Sequence, residues 1–232
     1  MITKQDIICL PLADEEIKWV MQKAKEHFAI AKRDNLRSRH INIQYDCILR
    51  GYIGEYAMRK WLEENDIILT ATNYKNDDDN IDVDFLYKER NIELKTSLVP
   101  DADITIEKSI SLRDIKLIKR KKNIEDLQGD IHLQIYFNQK RKAKDDWLLA
   151  QTINIDEENI DVLFEKLLCR CYRNTVYFVG WIDKISLIEK INSLPPIKQT
   201  WTFANAKRDF WNCKISESRK PLELANYLLS LQ

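Results

Sequence analysis

The chain predicts an α/β protein, and three observations carry that prediction. Residues 50–64 (RGYIGEYAMRKWLEE) place Ile53, Ala57, Trp61 and Leu62 on one stripe and Tyr52, Tyr56 and Arg59 on another, the spacing of an amphipathic helix. Residues 81–97 (IDVDFLYKERNIELKTS) alternate instead. Val83, Phe85, Ile92 and Leu94 point one way and Asp82, Asp84, Glu93 and Lys95 the other, which is the period of strands. Apolar strand-like runs return at 130–137 and 175–182, so helices and strands are interleaved along the chain.

In order, residues 13–35 predict a long helix with Ile17, Val20, Met21, Ala24, Phe28 and Ala31 on its buried stripe. The helix at 50–64 follows, then strands near 67–72, 81–87 and 91–98, the last two joined by a polar turn from Tyr87 to Asn91 of ordinary hairpin length. A helix is expected near 111–126 and a strand from Asp130 to Phe137. Beyond them the sequence predicts a strand over 147–155, a helix over 159–172 and a strand over 175–182, interrupted at Gly180 and expected to close the sheet. Pro195-Pro196 marks a break. The stretch TWTFANAKRDFWNCKI (200–215) then mixes aromatics with Lys207 and Arg208, a pattern of core residues or, alternatively, of stacking on nucleic acid.

A chain of 232 residues with 44% apolar content fits one domain. Its core is expected at about 46–185, with an N-terminal extension over 1–45 and a C-terminal one over 186–232. No run of 18 or more apolar residues occurs and the first residues lack the form of a signal peptide, so a soluble, cytoplasmic protein without a membrane partner is expected. The five cysteines, Cys9, Cys47, Cys169, Cys171 and Cys213, are scattered in a way that suits buried thiols better than structural zinc. With only His27, His40 and His132 available, histidine-based hydrolysis is not expected.

Lysine plus arginine equal aspartate plus glutamate at 37 each, yet the charges are unevenly placed. Basic clusters fall at 116–122 (KLIKRKK), at 140–144 (KRKAK) and around Arg33, Arg37, Arg39 and His40. Acids gather at 77–84 and 154–161. Positive rims around an acidic centre suit a phosphate-bearing partner, while solvated helix faces or loops are the plainer reading of the same clusters.

If 81–87 and 91–98 form an antiparallel ribbon, Asp84 lies across from Glu93 and Lys95 within side-chain reach. A few carboxylates supply hard oxygen ligands for Mg²⁺, and a neighbouring lysine can orient water and offset charge on phosphorus. A solvated sheet face would show the same residues. Acid-x-Lys triplets also occur at Glu16–Lys18 and Asp114–Lys116, though in segments with helical spacing. Glu55, after the small Gly54, is either part of such a site or a first-turn acid favoured by the helix dipole.

Taken together, GEYA on a helix, an acidic strand and ELKTS on the next strand resemble the PD-(D/E)XK nuclease superfamily over roughly residues 50–140. The resemblance implies an α/β, restriction-endonuclease-like αβββαβ core, a central mixed sheet flanked by helices, with helical N- and C-terminal additions. It implies Asp84, Glu93 and the Leu94 carbonyl as metal ligands, with Asp82 competing with Asp84 for its role. Lys95 would be the catalytic lysine and Glu55 the supporting helix glutamate. Neither aspartate is preceded by the proline of the motif's name. The expected function is a Mg²⁺-dependent DNA endonuclease, with Mn²⁺ as a substitute, most like a type II restriction endonuclease acting on double-stranded DNA as a homodimer. The alternatives are a phage or repair nuclease, a junction-resolving enzyme, or a catalytically silent binding module. Phosphate contacts are expected from Lys119, Arg120, Lys121 and Lys122, from Lys140, Arg141 and Lys142, and from Thr96 and Ser97. Gln134 is a further candidate beside them.

Overall fold

The computed structural model describes residues 1–30, 39–71, 83–203 and 208–231. A short strand, β1 (Ile8–Cys9), precedes the first helix, α1 (Asp14–Ile30), whose Ile17, Val20, Met21, Ala24 and Phe28 are buried as their spacing predicts. The second helix, α2 (Ile41–Glu63), starts well upstream of the expected Arg50 because the stripe of Ile53 and Ala57 continues back through Leu49 and Tyr45. His40 caps it, its Nδ1 accepting from the Asn42 N–H at 3.3 Å.

Three strands then form an antiparallel meander: β2 (Thr70–Ala71), β3 (Phe85–Tyr87) and β4 (Arg90–Val99). The β3–β4 turn is only Lys88 and Glu89, both at positive φ (44° and 63°), the two-residue hairpin geometry that favours glycine. Lys88 is tied down there, donating to the Leu231 carbonyl at 2.6 Å.

After β4 comes α3 (Ile106–Leu112), then a short strand, β5 (Leu117–Ile118), then β6 (Ile131–Lys140), which pairs parallel to β4. The remaining elements are α4 (Arg141–Ala150), α5 (Ile160–Lys166), β7 (Val176–Asp183), α6 (Lys184–Ser193), β8 (Thr200–Phe203), β9 (Arg208–Trp211) and α7 (Glu223–Ser230). The main sheet is mixed, in the order β1-β7-β6-β4-β3-β2. Alternate residues of its strands feed two cores. One face buries Ile92, Leu94, Leu133, Ile135 and Phe137 with α1 and α2; the other buries Val99, Tyr136 and Val179 with α3 and α6. The chain is therefore α/β with a central mixed sheet flanked by helices, and among the described residues none of its helices is long and apolar enough to cross a membrane.

Four expectations give way. The helix expected near 111–126 is displaced to 106–112. Lysine and arginine are good helix formers, but Ile115 and Leu117 are both fully buried with Lys116 between them, a period of two, and Leu117 pairs with Trp211 of β9. The strand expected at 147–155 is the end of α4, where Lys144 and Leu148 are buried one helical turn apart. β7 does not close the sheet, because β1 pairs outside it. The C-terminal extension is only partly helical, since β8 and β9 join β5 in a second, three-stranded sheet. There Phe210 and Trp211 are core, while Phe203 is 39% exposed; Lys207 lies outside the described residues.

Gly54 fixes how closely α2 approaches β4. A methyl group on its Cα would lie 2.5 Å from Thr96 Cγ2 and 3.4 Å from Leu94 Cδ2. Gly54→Ala is accordingly expected to lower stability by about 1–3 kcal/mol, read by urea melts. Adding Thr96→Ser, which removes the opposing methyl, should restore most of the loss. Identical midpoints for wild type and Gly54→Ala would mean that the helix stands farther from the strand.

Candidate active site

β3 and β4 are paired as far as Phe85 opposite Ile92 and part beyond that point. Asp84 stands at the parting. Its N–H donates to the Ile92 carbonyl (3.0 Å) and its Oδ2 accepts the Leu94 N–H at 2.6 Å. The carboxylate thus occupies the place where a strand carbonyl would continue the ladder. A strand residue's N–H and C=O leave on one side, so the Leu94 carbonyl points along the same edge as Asp84. Asp82, the competing aspartate, lies outside the described residues, as do Arg33, Arg37 and the rest of the acidic run at 77–82.

Glu93 and Lys95 project from the face of β4 opposite to Leu94. Lys95 Nζ lies 2.8 Å from Glu93 Oε1, and His132 Nδ1 lies 2.8 Å from Glu93 Oε2. Register explains the second contact, since His132 of β6 is the direct partner of Glu93. Burial opposes ionisation of Glu93 and is the largest influence on it. The hydrogen bond from His132 and the charge of Lys95 together outweigh burial and hold the carboxyl at about 2. An ionised carboxylate only accepts, so His132 carries its proton on Nδ1. Its Nε2 is then left buried with no hydrogen-bond partner among the described residues.

Glu55 follows Gly54 on α2, the helix that packs against Leu94 and Thr96. It therefore belongs to the opposite layer from Glu93, and the two can approach one another only around the open edge of β4. Its charge is felt by Tyr52, whose hydroxyl is pushed up to about 12 chiefly by burial and then by Glu55. Among the described residues, no three His, Cys, Asp or Glu side chains are gathered closely enough to hold a metal ion. The expected convergence of three carboxylates is therefore not found among the described residues: Asp84 is held by the Leu94 N–H, Glu93 is the residue before Leu94 on β4, and Glu55 lies in the other layer.

The basic residues divide. Arg120 and Lys121 line a cavity of about 390 Å³ together with Asn123, Gln128, Trp211 and Glu93 itself. Lys119 lies over the Trp211 ring at 4.7 Å, and Lys122 is exposed. Arg141 and Lys142 are exposed at the start of α4. Lys140 is a correction: its ammonium is spent on the Pro100 and Asp103 carbonyls. Ser97 is another, 3% exposed with its hydroxyl accepting from Gln134 Nε2 at 3.0 Å, which makes it a core hydroxyl rather than a phosphate contact. Thr96 gives its methyl to Gly54 and its carbonyl to Lys116 Nζ (3.3 Å). Gln134 is buried and ties strands together, donating to the Lys95 carbonyl (2.9 Å) while accepting the Lys116 N–H (3.0 Å).

Sequence reasoning set His132 aside and passed over Lys116 and Arg50 as site residues. The period of two at 115–117 could have placed Lys116; nothing local to the chain marks which residue of β6 will face Glu93. No protein-family model, no curated protein and no solved structure matches this chain.

Proposed function

We propose that this chain is a Mg²⁺-dependent DNA endonuclease with a restriction-endonuclease-like core, closest in kind to a type II restriction endonuclease that works as a homodimer. The observation that carries the reading is the parting of β3 and β4, where the Asp84 carboxylate sits on the Leu94 N–H (2.6 Å) beside the Glu93–Lys95 pair (2.8 Å). The order of helix, three-strand meander, helix and parallel strand supports it. So does the cavity that Arg120 and Lys121 line together with Glu93.

Two carboxylates and the Leu94 carbonyl are hard oxygen donors, the set that suits Mg²⁺, with Mn²⁺ as a substitute. A bound ion of this kind polarises a phosphate and acidifies a water. To serve as a ligand, Glu93 must loosen its hold on Lys95 or His132. Lys95, released toward the edge, is the group that orients the attacking water in line with the leaving 3′ oxygen and offsets charge on phosphorus. Glu55 supports from the helix side. Arg120, Lys121, Lys119 and Lys122 hold the flanking phosphates. A homodimer presents two such sites, one for each strand.

A second reading, a silent DNA-binding module of the same fold, is favoured by one observation: both Glu93 oxygens already have partners. Incubating the protein with plasmid DNA and Mg²⁺ separates the readings. Discrete bands are expected, abolished by chelator and in Asp84→Ala. A smear indicates a nonspecific phage or repair nuclease, preference for four-way junctions a resolving enzyme, and no product under any divalent ion the silent module.

A further inference from the structure

Lys116 has no role in the reading above, yet its surroundings are unusual. Its backbone N–H is held by Gln134 Oε1 at 3.0 Å, on the β6 side of β4, while its Nζ reaches the Thr96 carbonyl at 3.3 Å. Ile92 faces β3, and residues two apart on a strand turn their hydrogen-bonding groups to the same side. The Thr96 carbonyl therefore lies on the β3 side, past the point where β3 stops pairing. The lysine passes under β4 and brings its ammonium to the same open edge on which Asp84 sits, one strand repeat, roughly 7 Å, beyond Leu94.

The charges around that ammonium are the wrong ones for a lysine half-buried by the fold. The charged residues that act on it most are Arg50, Lys95 and Arg141, all cations, and among the described residues no carboxylate is paired with it. Arg50 is committed to Asp46 at 2.9 Å. Burial first, then the charges of Arg50 and Lys95, push the Lys116 ammonium down to about 8. A cation partly withdrawn from water without an anion is costly, and the structure keeps it there by holding its main chain through Gln134, the side chain that also holds the Lys95 carbonyl (2.9 Å).

We propose that Lys116, flanked by Arg50 and Lys95, is an anion subsite at the open edge of β4 that seats one phosphate of a nucleic-acid backbone. The phosphate supplies the negative charge that the protein leaves out. Lys95 and Lys116 are then distinct in role: the first is paired with the Glu93 carboxylate, and the second, held by the Thr96 carbonyl, takes its counter-charge from the substrate. The identification of the anion as a backbone phosphate rests on the nuclease reading; the existence of the subsite does not.

The test separates the two. Inorganic phosphate is titrated into the metal-free protein and followed by ¹H–¹⁵N NMR, with backbone shifts expected at Thr96 and Lys116. Lys116→Met, which keeps length and removes charge, should weaken phosphate binding at least tenfold, while Lys116→Arg stays within a fewfold of wild type. On duplex DNA without metal, Lys116→Met should also reduce the slope of log affinity against log salt by about 1, a change that a merely structural lysine would not produce. Unchanged phosphate binding in a folded Lys116→Met protein overturns the proposal. Should that variant fail to fold, the absence of phosphate-dependent shifts at Thr96 and Lys116 in the wild type overturns it equally. Phosphate binding here without any DNA cleavage would sink the nuclease reading and leave the subsite standing; cleavage without phosphate binding here would do the reverse.

Discussion

Lys95→Ala is expected to lower cleavage of duplex DNA by about 10³-fold, roughly 4 kcal/mol at the transition state, while binding to the same DNA without metal stays within about threefold of wild type. The asymmetry follows from where the ammonium sits. It is 2.8 Å from Glu93 Oε1, turned inward, and 22% exposed, so it contributes little to the basic rim that meets phosphates in the ground state. Its loss is felt only when a water must be aligned and charge builds on phosphorus. Lys95→Arg should rescue poorly, because the planar guanidinium binds Glu93 as a fork and cannot replace a point charge. The variant also leaves Glu93 with the His132 Nδ1–H as its remaining hydrogen-bond partner among the described residues, so thermal melts of both proteins belong with the assay. Single-turnover rates on saturating DNA are the measurement, and full cleavage by Lys95→Ala would remove the mechanistic assignment.

Much of the central architecture could be read from residue order because the sheet is built from local signals. Ile92 and Leu94 alternate with Glu93 and Lys95, and the structure puts the first pair in one core and the second on the other face. The α2 stripe was equally legible. What failed were segments whose local preference competes with a distant partner. KLIKRKK has helix-favouring composition, but Leu117 is claimed by Trp211, nearly a hundred positions on, and the strand pairing wins. RKAKDDWLLA contains an apolar run that suits a strand, but Asp46 and Leu167 draw Lys144 inward and the turn of helix between Lys144 and Leu148 follows. At the candidate site, Asp84, Glu93 and Lys95 could be placed near one another because they lie within twelve residues of one hairpin. His132 and Lys116 were not, since each arrives by register between elements separated in sequence.

The largest stability effect is expected at a residue remote from the acids of the site. Asp46, on α2, is fully buried and serves three partners: Arg50 Nε at 2.9 Å, the Tyr172 hydroxyl at 2.7 Å and Lys144 Nζ at 3.5 Å. Burial alone would raise its carboxyl, but the charges of Arg50 and Lys144 and the hydroxyl of Tyr172 outweigh burial and lower it. Lys144 is itself 4% exposed and Arg50 is largely covered, so one carboxylate neutralises two cations inside the fold. Asp46→Ala leaves both unpaired in a low-dielectric setting, and a loss of about 3–5 kcal/mol is expected, a large share of the total stability of an ordinary domain. Asp46→Asn keeps an acceptor for Tyr172 and should lose less. The decisive comparison is Asp46→Leu combined with Lys144→Met, which removes one of the stranded charges along with the carboxylate. If the penalty comes from uncompensated charge rather than lost packing, this pair should be more stable than Asp46→Ala in urea melts. The Arg50 charge acts on Lys116 at the open edge of β4, so freeing it from Asp46 should strengthen phosphate binding there at temperatures where the Asp46→Ala protein remains folded. An Asp46→Ala protein within about 1 kcal/mol of wild type would show that water reaches Arg50 and Lys144 and that the cluster is not sealed.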